Sequence, residues 1–241
     1  MNNVSAMPDI EKTFTDFLNL SAACLGDGYM HIDLPLAYVT EEEEEEFSLE
    51  SLAADIRVCK ACPLCETRTL AVPGEGVFDP LVMVIGEGPG ADEDRAGRPF
   101  VGRAGQLLDK MLDSIGLSRD KNCFIANMVK CRPPGNRNPS PDEIGACFPY
   151  LQKQIALLQP KIILCAGKIS TQSLLNTSIG ISALRGKIAA YNTGADGETI
   201  PLLPTFHPSA VLRDESLKRP VWEDLKLLRS ELESAGHNPG E

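Results

Sequence analysis

The chain has 241 residues, 43% hydrophobic and 24% charged, which suits one soluble globular domain with a real core and excludes collagen-like and low-complexity classes. No apolar run approaches the ~18 residues of a membrane span, and the N-terminus MNNVSAMPDIEK has neither the basic nor the apolar region of a secretory leader. The net charge of −11 argues against a polyanion partner only until its distribution is read. Residues 1–50 hold twelve acids and one base, so residues 51–241 are neutral, and residues 95–137 carry nine bases against three acids. A neutral body with a basic stretch is compatible with nucleic acid.

In chain order, IEKTFTDFLNLSAACL has helical spacing and is followed by irregular chain. Glu41 to Glu46 is an unbroken acidic run, either a solvated linker or a solvated helix start. Two domains of the chain are expected: an acidic arm and linker over 1–46, partly flexible, and a compact domain over 47–241. In the second, 81–87 (LVMVIGE) reads as a strand, 102–117 as a helix and 122–131 (NCFIANMVKC) as a strand. Residues 141–160 read as a helix with a kink at Pro149, 161–167 (KIILCAG) as a buried strand and 168–176 as a helix. Residues 199–209 read as a strand running into a loop, and 217–235 as an amphipathic helix. Four strands alternating with helices predict an α/β fold with a parallel sheet covered on both faces.

Ligands of such sheets bind beyond the carboxyl ends of the strands. The strand ends here read GEGPG, NMVKCRPPGNRNP and FHPSAVLR. Each alone is an ordinary turn after a strand; three such loops on one edge point to chemistry. GEGPGADED is no phosphate loop: it lacks the Gly-Lys-Ser/Thr ending and the third glycine, and its acids would repel a pyrophosphate. It suits close approach of backbone to a neutral ring or a water. His207, one of three histidines, leaves a strand end on this same edge, where a turn-fixing Pro-Ser follows.

Eight cysteines in a chain without a leader point to a reducing, cytoplasmic setting, where thiols more often serve metal or redox chemistry than disulfides. Cys59 and Cys62 form a C-x2-C pair, followed by Cys131 and Cys147. Two thiolates from one tight turn and two from elsewhere complete a four-thiolate centre. Cys65 extends the run and competes as a ligand. Spacing alone does not separate zinc from an iron–sulfur cluster. Cys24, Cys123 and Cys165 read as arm or core thiols.

Taken together, GEGPGADEDRAGRPFVGRAGQLLD, NMVKCRPPGNRNP and FHPSAVLR, in this order and with the four cysteines interleaved, resemble the family 4 uracil-DNA glycosylases, the iron–sulfur members of their superfamily. The resemblance covers residues 51–235 and leaves the acidic arm outside. It implies a three-layer α/β/α sandwich around a four-stranded parallel sheet. It implies a [4Fe-4S] cluster on Cys59, Cys62, Cys131 and Cys147, structural rather than catalytic. It also implies a monomeric enzyme that flips uracil out of single- or double-stranded DNA and hydrolyses its glycosidic bond.

Carried onto matching positions, the resemblance implies that Asn127 reads the uracil edge, Phe100 stacks on the ring, and His207 hydrogen-bonds O2 as charge develops there. It implies that Glu93 lies against C5 and excludes a thymine methyl. Family 1 enzymes carry an aspartate in their first motif where this chain has GEGPG. The water-positioning group is therefore sought among Glu87, the backbone at Gly88, and Asn136. HPSAVLR resembles a loop that enters the minor groove: Ser209 would bind a phosphate, and Leu212 or Arg213 would fill the gap left by the base. Arg98, Arg103, Lys130, Arg132 and Arg137 are candidate backbone contacts. A related group traps DNA through a histidine in the second-motif loop; this loop has none, so ordinary turnover is expected. Two rivals stand: an iron–sulfur module that binds DNA with weak or no catalysis, and an electron-transfer or zinc-ribbon protein, which would explain the cysteines but not the three loops.

Overall fold

The structure, a computed structural model, describes residues 48–194 and 198–240, all within the unit Phe47–Glu241. The acidic arm, its expected helix and Cys24 lie outside the described residues. Six strands form one sheet: β1 (Glu75–Gly76), β2 (Val82–Gly86), β3 (Cys123–Asn127), β4 (Ile162–Ala166), β5 (Ala189–Asn192) and β6 (Thr199–Thr205), in the order β1-β3-β2-β4-β6-β5. The four expected strands are the parallel centre, β3-β2-β4-β6. Two antiparallel edge strands were not foreseen. β1 is two residues long and β5 reads AAYN, so neither carries an apolar period that could be recognised.

The central strands are apolar on both faces because both are covered. Val82, Val84, Ile125, Ile162, Leu164 and Leu203 face one cluster with helices α3 (Arg103–Asp113) and α8 (Lys218–Ser234). Met83, Ile85, Phe124, Ile163 and Leu202 face the opposite cluster with α4 (Pro141–Leu158) and α5 (Lys168–Leu174). This alternation produces the three layers expected. Cys123 and Cys165 are wholly buried in these clusters, as core thiols.

Helix α1 (Leu49–Val58), unpredicted, starts with a capping box between Ser48 and Ser51 and packs Leu52 and Ile56 into a third cluster with Cys131 and Cys147. Short α2 (Ala91–Ala96), α6 (Ile181–Leu184) and α7 (Pro208–Arg213) fill three connections. Helix α4 runs through Pro149 as one helix. Among the described residues no helix is long and apolar enough to cross a membrane.

Register brings the loops together. Gly86 pairs with Asn127 and Ala166 with Thr205, so the chains leaving β2, β3, β4 and β6 emerge side by side at one sheet edge. The order reverses at β2 and β4, since β3 lies to one side of β2 while β4 and β6 lie to the other. That reversal opens the crevice typical of such sheets.

Candidate active site and thiol centre

A cavity of about 530 Å³ occupies this edge. Glu87, Gly88, Glu93, Phe100, Asn127, Asn136, His207, Ser209 and Arg213 all line it. Of the residues singled out for substrate and water, Leu212 alone is not on the wall. It stands 42% exposed on α7, while its neighbour Val211 is buried.

Asn127 ends β3 and is 2% exposed. Its Oδ1 is the one buried side-chain oxygen or nitrogen among the described residues without a hydrogen-bond partner. Such an acceptor costs about 1–3 kcal/mol to leave unpaired. Room for it comes from Gly86: a Cβ there would lie 2.4 Å from Asn127 Oδ1 and 2.6 Å from Phe100 Cζ. The orphan oxygen and the Phe100 ring therefore crowd the same glycine.

His207 caps α7. The backbone N–H of Ser209 donates to its Nδ1 at 3.1 Å, and Ser209 Oγ lies 2.8 Å from the same nitrogen. Nδ1 is thus an acceptor, which assigns the proton to Nε2. Burial, aided by the charge of Arg213 and opposed by Glu93, pushes the imidazole down to about 4, so it is neutral at physiological pH. One ring face stacks on Phe100. Ser209, expected at a phosphate, holds this histidine through both contacts. The end of β6 is itself anchored, since Thr205 Oγ1 donates at 2.7 Å to the buried carboxylate of Asp224, which also pairs with Arg185.

Glu93 lines the cavity, but its carboxylate accepts from the N–H groups of Val101 and Gly102, both at 2.9 Å, and of Gly90 at 3.1 Å. It ties two loops together rather than presenting free oxygens. Glu87 has no such ties: burial alone raises its carboxyl above the ordinary value. Asn136 lines the cavity with φ +55°, its Oδ1 accepting from Arg132 Nε at 2.8 Å.

Lys130 corrects the sequence reading. It is 1% exposed, its Nζ donating to the Asn127 carbonyl at 3.0 Å and to Gln154 Oε1 at 2.6 Å, so it is no phosphate contact. Arg98 and Arg137 are forked onto Glu75 and Glu143. Missed in the sequence was the β4–α5 junction, where Gly167 and the first two residues of α5, Lys168 and Ile169, also line the cavity. The rule of strand ends would have found it. Gly167 has φ +105°, and a Cβ there would lie 3.0 Å from His207 Cβ.

A second, smaller cavity lies between the C-x2-C segment, the residues after β3 and α4. Cys59, Cys62, Cys65, Cys131 and Cys147 line it together with Ile56 and Ala146. N–H groups point at three sulfurs: Ala61 N to Cys59 Sγ at 3.4 Å, Lys130 N to Cys147 Sγ at 3.2 Å and Arg68 Nη1 to Cys131 Sγ at 2.9 Å. Such donors favour sulfur in its charged form. Among the described residues no three ligand-type side chains converge as they would on a single metal ion. The five cysteines line one small cavity instead.

A family model of the uracil DNA glycosylase superfamily matches residues 73–226. The chain is 45% identical over 187 residues to a type-4 uracil-DNA glycosylase of Sulfurisphaera tokodaii, covering 76% of this chain and 84% of that protein. It is 44% identical to one of Pyrobaculum aerophilum, covering 74% and 92%. It is 43% identical to one of Saccharolobus solfataricus, covering 78% and 88%. The chain belongs to the uracil DNA glycosylase superfamily.

Proposed function

We propose that this member of the superfamily is a uracil-DNA glycosylase of the type-4 kind: it flips uracil from DNA and hydrolyses the N-glycosidic bond, releasing uracil and leaving an abasic site. The observation that carries the reading is the unpartnered, buried Asn127 Oδ1 in a cleft walled by Phe100 and a neutral His207.

The chemistry follows from what each group offers. A base in duplex DNA must leave the stack at a cost of a few kcal/mol. Asn127 Oδ1 accepts from N3–H of uracil while its amide donates to O4. Cytosine reverses both polarities and leaves both groups unpaired, which is how a buried amide rejects it. Phe100 stacks on the extruded ring. Nε2–H of His207 donates to O2 as uracil departs as an anion. Glu87 holds a water toward the sugar, its carboxylate being the one in GEGPGADED that no protein group occupies. Gly88 lends backbone, and Asn136 closes the loop over the same face. Glu93 keeps the loop against the ring's C5 side. Leu212 or Arg213, both exposed on α7, fills the gap in the stack.

The thiol ring supports a [4Fe-4S] cluster on Cys59, Cys62, Cys131 and Cys147. A lone zinc would need its sulfurs gathered about 2.3 Å from one point; no three ligand-type side chains among the described residues are gathered so, while three of the sulfurs receive N–H donors as cluster thiolates do. When bound, the cluster supplies a covalent tie between the C-x2-C turn, the segment after β3 and helix α4. The reading includes action as a monomer in a reducing cytoplasm.

The test is an end-labelled oligonucleotide with one uracil, incubated with anaerobically purified protein and treated with alkali. Cleavage at uracil, absent with cytosine or thymine, is expected. Intact oligonucleotide from cluster-loaded protein would overturn the reading in favour of a DNA-binding module.

A further inference from the structure

Phe100 is a phenylalanine in a glycine's conformation. Its φ is +52°, in the left-handed region, where a residue with a Cβ is strained by about 1–2 kcal/mol. It is also 6% exposed, so the strain is held inside the protein. Something must over-determine this backbone.

Arg119, from the loop between α3 and β3, meets it on the carbonyl side. Nη1 donates to Pro99 O and Nη2 to Phe100 O, each at 3.0 Å. The guanidinium is oriented by Asp109, whose Oδ1 accepts from Nη2 at 2.7 Å and from Nε at 3.2 Å. Glu75 lies 3.7 Å from Nη1, and the side chain is 10% exposed. On the amide side, Glu93 takes the next two N–H groups. Gly105 leaves the space: a Cβ there would lie 1.9 Å from Phe100 O. Arg119 does not line the cavity, so it meets no substrate.

We propose that Arg119 is a positioning residue for the stacking ring, clamping the left-handed Phe100 backbone so that the ring faces the base beside Asn127 and His207. The inference deepens the functional reading and rests on Phe100 stacking against uracil. Only a planar fork serves two successive carbonyls and a carboxylate at once, so lysine is no substitute here. Loss of the clamp lets Phe100 relax and displaces its ring without removing it. A displacement of this kind costs on the order of tenfold to a hundredfold in rate.

The experiment is a double-mutant cycle on uracil oligonucleotide cleavage. kcat and KM are measured for the native protein, Arg119→Met, Phe100→Ala and the double variant, with iron content and thermal midpoint alongside. Arg119→Lys is carried as the milder replacement should the methionine variant not fold. The expected result is a loss of kcat/KM of roughly tenfold or more for Arg119→Met or Arg119→Lys in the native background, and little further loss when Phe100 is already alanine. Equal losses in both backgrounds, or no loss in the native one, overturn the proposal. If Phe100→Ala is fully active, the stacking role itself fails and the inference goes with it. If Phe100→Ala is impaired while the Arg119 variants are not, the inference fails alone.

Discussion

The rings of Phe100 and His207 stack with centroids 5.6 Å apart and planes 30° from parallel. One comes from the loop after α2, the other from the end of β6, and their contact closes a wall of the cleft. With one face against Phe100 and Nδ1 bonded to Ser209, His207 has Nε2–H as its remaining polar edge. His207→Ala should lower kcat by about 10²–10³, as loss of a donor to a developing anion does. Iron content should stay native. A rise in KM alone, with kcat unchanged, would show that His207 serves binding only.

The same burial sets a pH signature. The unfolded imidazole titrates near 6.5 and the folded one near 4. Between those values the unfolded state binds more protons, so stability is full above about 6.5 and falls as pH drops toward 4. Nitrogen NMR of the imidazole should show a single Nε2–H tautomer down to about pH 5. Ser209→Ala removes one of the two Ser209 contacts to Nδ1 and should weaken the tautomer preference. A native titration at 6.5 would contradict the assigned burial.

Asn127 should dissociate function from stability. Asn127→Ala deletes an acceptor that has no partner in the folded chain. Cleavage should fall by about 10²-fold or more, since the edge of uracil is then unread. The thermal midpoint should hold or rise, because the cost of a buried orphan disappears. A large drop in midpoint would mean that Asn127 is structural and does not read the base.

Glu87 carries the opposite linkage to His207. Burial raises its carboxyl, so the folded chain binds more protons above the ordinary value of 4.5, and stability is lost as pH rises through the folded value. Glu87→Gln should therefore gain stability at neutral pH. It should also lose about tenfold or more in kcat and flatten the acid limb of the rate profile. An unchanged limb with unchanged kcat would shift water positioning to Gly88 or Asn136.

Much of this was legible in the sequence because strands and loops carry local signals. The runs at 82–86, 123–127 and 162–166 are continuously apolar, and the loops after them are dense in glycine and proline. Edge strands β1 and β5 escaped because their pairing, not their residues, makes them strands. Lys130 misled because nothing in NMVKC says that Gln154, 24 residues on, waits to receive its ammonium. Arg119 was invisible for the same reason: its value lies in two carbonyls about 20 residues upstream. The sequence supplied residue types; the partners that assign their roles are long-range.

The thiol ring makes the last prediction. Cys131 stands four residues after Asn127, and Lys130 between them bonds Cys147 through its N–H and the Asn127 carbonyl through its Nζ. The proposed cluster ligand Cys131 and the proposed base reader Asn127 therefore share one short segment. Native protein purified without oxygen should be brown, with broad absorption at about 400 nm and about four irons per chain. Cys131→Ala should lose both, and it leaves Arg68 Nη1 without its sulfur. Its thermal midpoint should fall by several degrees, as loss of a structural metal centre does. Cys65→Ser should keep colour, iron and midpoint, because four thiolates suffice. If Cys65→Ser bleaches while Cys59→Ser does not, the ligand set must be redrawn with Cys65 in place of Cys59. Chelation of the native protein should reproduce the Cys131→Ala midpoint, since both remove the same tie between the C-x2-C turn, the β3 end and α4.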